Sequence, residues 1–160
     1  MYDFAPQPGQ PKGELYAELA SAAAALVAGE PDPVANMANV AALIWQYVPQ
    51  LNWAGFYRDI EGELVLGPFI GKPACIRIPF GQGVCGAAAT SGETQLVADV
   101  HAFPGHITCD AASRSELVVP VMRGSVLVAV IDLDSPEPAR FDAEDSAGIE
   151  LLAQTIAASI

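Results

Sequence analysis

Positive charge is scarce in this sequence. Of 160 residues, 7 are Lys or Arg and 19 are Asp or Glu, for a formal net charge of −12. A chain this acidic repels nucleic-acid phosphates and anionic lipid headgroups, and so few cations cannot line a basic groove. Nucleic-acid binding is thereby excluded. No apolar run approaches the ~20 residues of a membrane-spanning helix. The opening stretch "MYDFAPQPGQPKGE" has no basic segment followed by an apolar one. No secretory signal is read there, and the cytoplasm is the expected compartment. Cysteine is sparse as well. Cys75, Cys85 and Cys109 are odd in number, widely spaced and without a CxxC pair. That is a poor disulfide framework and gives little support to a structural zinc site.

What the chain does have is apolar residues, 52% of the total. The length is enough for one domain with a proper core. Residues 1–12 form a Pro/Gly-rich arm, expected to be flexible, and residues 13–160 form the domain. From Glu14, Leu15, Leu19, Ala22, Ala23 and Leu26 recur at helical spacing until Gly29. Asp32 then offers an N-cap with Pro33 at the first helical position of a second helix. After Pro49 the period changes to two. "NWAGFYRD" reads as a strand with Trp53, Gly55 and Tyr57 on one face, joined to "ELVLGPFIG" through a Glu61-Gly62 turn. "ACIRIPF" alternates again, which predicts a strand carrying Cys75. "GQGVCGAAATSG" predicts a short helix around Cys85, and "TQLVAD" a brief strand. "ELVVPVM" and "SVLVAVIDLD" flank an Arg123-Gly124 hairpin. Asp142 opens a last helix, with Glu144 and Asp145 placed where the dipole favours acids. The expectation is an α+β fold: a central antiparallel sheet, terminal helices on one face, and a ligand pocket under loops on the other.

The residues that can do chemistry fall into three groups. Cys109 lies in a loop with His106 three positions before it and Asp110 beside it. His106 favours a thiolate and Asp110 opposes one, so a reactive thiol and an inert loop residue stay in balance. Cys85, in its Ala-rich setting, reads as a small buried hydrophobe. Cys75 could meet Cys109 if its strand lies beneath the loop, a distance that spacing does not decide. Asp132 and Asp134, two apart in a strand, share a face. They are either a solvated strand end or, with Glu116, a converging cluster for an ammonium group, a metal ion or proton donation to an oxygen. Trp53 and Tyr57 read as core packing or as the wall of a small apolar pocket. His101 and His106 have an unspecific spacing for metal ligation and are read as ordering the loop.

Five stretches, "NWAGFY", "IPFGQGVCG", "DVHAFPGHITCD", "SRSELVVPV" and "VLVAVIDLDS", together closely resemble the free methionine-(R)-sulfoxide reductases, cytoplasmic enzymes built on a GAF domain. The resemblance runs from about Asn52 to Phe141. It implies reduction of free methionine-(R)-sulfoxide, recycling by thioredoxin, a homodimer, and no metal or organic cofactor. It also implies that Cys109 attacks the sulfoxide, that Cys75 resolves the product as a disulfide, and that Cys85 assists recycling. Glu116, Asp132 and Asp134 match the acidic substrate-binding cluster, with Glu116 or Asp134 as the proton donor. Trp53 and Tyr57 match the aromatic wall around the substrate methyl group. Arg114 and Ala98 depart from the family pattern without removing any of these groups. A sensor GAF module is the rival reading; a metal hydrolase lacks a ligand set.

Overall fold

The computed structural model describes residues 4–105 and 110–160. His106 and Cys109 lie outside the described residues. Four α-helices are present among these residues: α1 (Lys12–Val27), α2 (Pro33–Tyr47), α3 (Gly83–Ser91) and α4 (Ala143–Ile156). The strands are β1 (Trp53–Ile60), β2 (Glu63–Gly71), β3 (Arg77–Pro79), β4 (Gln95–Val97), β5 (Ser115–Arg123) and β6 (Val126–Ser135). They form one sheet in the order β3-β2-β1-β6-β5-β4, with every neighbouring pair antiparallel.

Period-two alternation divides the sheet into two faces. Ala54, Phe56, Leu117, Val119, Ile131 and Leu133 point to a layer made by α1, α2 and α4. Trp53, Tyr57, Val118 and Val130 point the other way, against Val84, Cys85 and Ala88 of α3. The helix starts follow local chemistry. The Asp32 side chain accepts from the Ala35 N–H with Pro33 in the first turn, and Asp142 and Asp145 form a reciprocal capping box on α4. At the Glu61-Gly62 turn both residues have positive φ (56° and 85°), as a two-residue hairpin with the twist of its strands requires.

One strand differs from expectation. The ladder of β3 holds only Arg77–Pro79, paired to Glu63–Val65, and Cys75 lies in the connection that precedes it. The chain leaves β2 at Gly71, and Pro73 has no N–H to give a ladder. The alternation in "ACIRIPF" is therefore only half used: Ile78 is buried, whereas Ile76 is 71% exposed.

The helix layer is fastened at Asp145, which is completely buried. Its Oδ1 accepts from Tyr16 Oη at 2.7 Å, and its Oδ2 accepts from Lys12 Nζ at 2.7 Å and Arg140 Nη1 at 3.2 Å. A buried carboxylate is tolerated when its lone pairs are filled and its charge is matched, as here. Close helix contact goes with it. A Cβ added to Gly148 of α4 would sit 2.1 Å from Cγ of Tyr16 in α1. Gly148→Ala is therefore expected to cost about 2–3 kcal/mol through overpacking, a fall in Tm of roughly 4–12 °C. Gly13→Ala, at a helical position with nothing within 4 Å, is the control and should hold or raise Tm. Calorimetry that finds both variants equally stable would show that α1 and α4 do not press on one another at this point.

Candidate active site

The site is a consequence of register. Glu116 on β5 pairs with Asp134 on β6, and Asp134 pairs with Trp53 on β1. One step along, Val118 pairs with Asp132, and Asp132 with Gly55. Three carboxyls thus lie in two adjacent rows on the face away from the terminal helices. Gly55 keeps the second row low, since a Cβ there would come within 2.4 Å of Phe69 Cβ. Trp53 stacks on Tyr57 at 5.8 Å and on Phe69 at 5.2 Å between ring centroids, which builds a flat aromatic wall beside the acids. These rings also hold the opposite rim. Trp53 Nε1 donates to the Lys72 carbonyl at 3.2 Å, and the Tyr57 hydroxyl donates to the Cys75 carbonyl at 3.0 Å.

The cleft encloses about 550 Å³ of empty space, part of it open to solvent. Glu116, Asp132, Asp134, Trp53, Tyr57 and Cys85 all line it. Glu116 and Asp132 are each 6% exposed. Burial pushes the Glu116 carboxyl well up, and the charges of Asp132 and Asp134 push it further. Burial raises Asp132 to about 7, against hydrogen bonds from Cys85 and Glu116 that pull it down. Asp134 is raised by burial and then by Asp132, with the Ser113 hydroxyl opposing. Crowded carboxyls in low dielectric keep protons that isolated ones would release. The cluster can therefore donate a proton near neutral pH, or accept a cation in its place.

The expected site residues come together with one exception. Cys85 is a buried free thiol whose Sγ donates to Glu116 Oε1 at 3.9 Å. Its surroundings are not those of an inert hydrophobe. Burial and then the charges of Asp132 and Glu116 push the thiol well up, so it stays protonated. Cys75 is disulfide-bonded. The exception is Cys109, which lies outside the described residues. His101 is exposed in a single 3₁₀ turn, Val100–Ala102, whose cap is the Asp99 side chain.

Sequence reasoning passed over the rim. Asn52 Nδ2 donates to Ser113 Oγ at 3.1 Å and to Asp110 Oδ2 at 3.3 Å, and Lys72 Nζ lies 3.3 Å from Asp110. Asp110 also caps its own turn by accepting from the Ala112 N–H at 2.9 Å. That N–H, and then Lys72 and Asn52, hold the Asp110 carboxyl below the usual range. An Asx turn at "CDAAS" was legible in the sequence; its link to Lys72, 38 residues away, was not.

Residues 34–160 match the GAF domain family model. The chain is 48% identical over 144 residues to a free methionine-R-sulfoxide reductase of Escherichia coli, covering 89% of this chain and 87% of that one. The chain belongs to the GAF-domain family of free methionine-R-sulfoxide reductases. A Saccharomyces cerevisiae protein of the same name is 42% identical over 91% of this chain and 85% of its own. The structure of the Neisseria meningitidis free methionine-R-sulfoxide reductase in complex with its substrate superposes with a TM-score of 0.92 at 41% identity, covering 99% of this chain and 95% of that one. The antiparallel sheet flanked by helices is thus the GAF fold.

The buried acids of this GAF domain have a measurable consequence. Asp132 holds its proton up to about pH 7 when folded, against an ordinary value of 3.8. The folded state therefore binds more protons than the unfolded state between those two values, and stability falls as pH rises through that window. Asp132→Asn removes the penalty. Urea unfolding should show the variant more stable than the wild type by a few kcal/mol at pH 7.5, with the gain shrinking towards pH 4. A variant destabilised equally at every pH would sink this account of the cluster.

Proposed function

We infer that the protein reduces free L-methionine-(R)-sulfoxide to L-methionine. The observation that carries this reading is the joining of a proton-holding carboxyl cluster to an aromatic wall in one small cleft, in a chain 48% identical to an enzyme named for that reaction. A sulfoxide sulfur becomes a useful electrophile once its oxygen is protonated. Glu116 or Asp134 serves as the acid, in keeping with the raised pKa of each. Trp53 and Tyr57 enclose the S-methyl group, and Asp132 pairs with the substrate ammonium.

The Cys109 thiolate attacks sulfur, oxygen passes to the cysteine as sulfenic acid, and methionine leaves. The Cys75 thiol then displaces hydroxide, which leaves as water, and a Cys75–Cys109 disulfide forms. A dithiol reductant of the thioredoxin class returns both thiols. Support for Cys75 in this role is that it is disulfide-bonded while Cys85 remains a free thiol. Cys85, protonated and buried, is poorly suited to attack; an assisting part in recycling is its remaining role. Thioredoxin, the homodimer and the cytoplasmic setting rest on the resemblance. None of the described helices is long and apolar enough to cross a membrane.

The test is NADPH consumption with a thioredoxin system and the separate R and S epimers. The wild type should turn over the R epimer. Cys109→Ser should lose activity completely, and Glu116→Gln should lose roughly 10²–10⁴-fold, the usual share of a general acid. Mass spectrometry after a single turnover without reductant should show Cys75 joined to Cys109. Undiminished turnover by Cys109→Ser removes it as the nucleophile, and a Cys85–Cys109 bond removes Cys75 as the resolving thiol. Binding of an unrelated small ligand with no turnover of either epimer would favour a sensor.

A further inference from the structure

One side of the cleft adds to its acids a sulfur donor that neither an ammonium group nor a sulfoxide oxygen would select. A ligand atom from each of Cys85, Glu116 and Asp132 lies within 4.8 Å of the other two, and all three residues are buried. A single sulfur and two carboxyl oxygens form a mixed soft and hard set. Independently, Oδ1 of Asp132 is buried and meets no hydrogen-bond partner among the described residues. An acceptor left without a donor on a side chain only 6% exposed calls for a cation or a proton at that point. It faces a cleft whose only cationic lining residue among those described is Lys72, and Lys72 pairs with Asp110 at the rim.

We propose that Cys85, Glu116 and Asp132 form a binding site for a zinc-class divalent cation, sharing the cleft with the substrate. Magnesium and calcium do not fit, because they take six or more oxygen ligands and avoid sulfur. Zinc accepts thiolate, carboxylate and imidazole in any tetrahedral mixture, at about 2.3 Å to sulfur and about 2.0–2.2 Å to oxygen. Those lengths give a sulfur-to-oxygen edge of about 3.5 Å, close to the 3.9 Å between Cys85 Sγ and Glu116 Oε1. Carboxyl rotation at Glu116 and Asp132 supplies the rest of the contraction. The fourth position opens into the cleft, as in sites whose fourth ligand exchanges.

Binding breaks the Cys85 S–H bond, places the sulfur lone pair on the metal, and releases to solvent both that proton and those held by the Glu116 and Asp132 carboxyls. No electron is transferred. A dication there also reverses the reason the cluster holds protons, because it offsets the mutual repulsion of the acids. It occupies the position assigned above to the substrate ammonium and ties up Glu116. The metal therefore excludes substrate, and substrate excludes the metal. This last point rests on the proposed function; the binding itself does not.

The experiment uses the full chain with its disulfide intact, so that Cys85 is the free thiol available. Co²⁺ serves as the optical probe and Zn²⁺ as its competitor. The expected result is one Co²⁺ per chain, with a near-ultraviolet thiolate-to-metal band and a visible band of tetrahedral intensity, both removed by Zn²⁺. Cys85→Ser should abolish the near-ultraviolet band. Glu116→Gln and Asp132→Asn should each weaken binding by about 100-fold or more, beyond the usual effect of an outer-sphere change. Near-ultraviolet circular dichroism establishes that each variant is folded. Added methionine-(R)-sulfoxide should raise the Co²⁺ concentration needed for half-saturation. Binding without the thiolate band, or the same band in Cys85→Ser, overturns the site. An unchanged midpoint with methionine-(R)-sulfoxide present overturns the shared cleft and leaves the metal site standing. Because the metal arm needs no turnover, a protein inactive on the sulfoxide that still shows the band would lose the reductase reading alone.

Discussion

Strand β6 is hydrogen-bonded on both edges, to β1 and to β5, and buried on both faces. One face is apolar and the other carries the acids. Along "VIDLD", Ile131 and Leu133 enter the helix layer at 0% exposure, while Val130, Asp132 and Asp134 take the other face, where the two acids line the cleft. Because the side-chain period is two, a slip by one residue would drive both carboxyls into the helix-facing core and Leu133 into the cleft. Each misplaced carboxylate would cost several kcal/mol. The acids of the cleft therefore also fix the register of the central strand. The site residues on β1 and β5 take their positions from that register.

The chain treats its buried acids in two ways. Asp145 is given everything a buried carboxylate needs: two cations, a phenol and a backbone N–H. It holds α4 to α1 through Tyr16 and Lys12. Glu116, Asp132 and Asp134 are given no cation among the described residues, and Asp132 keeps an unfilled lone pair. In a chain with 7 Lys and Arg, where the cations go is informative. Lys12 and Arg140 support the scaffold at Asp145, Arg77 pairs with Glu63 at the sheet edge, and Lys72 stands at the rim. An acidic composition read at first as an exclusion of nucleic acid also describes a site kept short of positive charge, where protonation and ligand binding remain open.

Much of this was legible locally. The Asp32-Pro33 and Asp142 helix starts, the Glu61-Gly62 hairpin and the shared face of Trp53 and Tyr57 follow from chemistry within a few residues, and tertiary structure did not override them. Whether Asp132 and Asp134 were a wet strand end or a buried cluster could not be read the same way. The answer depends on β1 and β5 flanking β6, and those partners come from distant parts of the chain. Cys85 shows the same limit. Its burial was readable from Ala-rich neighbours, but the carboxyls facing it come from β5 and β6. The strand expected at Cys75 failed because alternation persists in sequence beyond the point where the ladder stops, and the turn after Gly71 with Pro73 decides where it stops.

The rim changes the weighing of the loop cysteine. From sequence, Asp110 beside Cys109 argued against a thiolate there, since a neighbouring carboxylate raises a thiol pKa. In the fold, Asp110 accepts from the Ala112 N–H and from Asn52 and pairs with Lys72. Its negative charge is matched by a cation and directed into its own turn, so its opposition to a neighbouring thiolate is reduced. Cys85 meets the reverse condition: burial, and then the charges of a carboxyl pair with no cation among the described residues, hold its proton in place. Asp110 is ion-paired to Lys72 at the rim of the cleft, whereas the carboxyls that face Cys85 have no cation among the described residues.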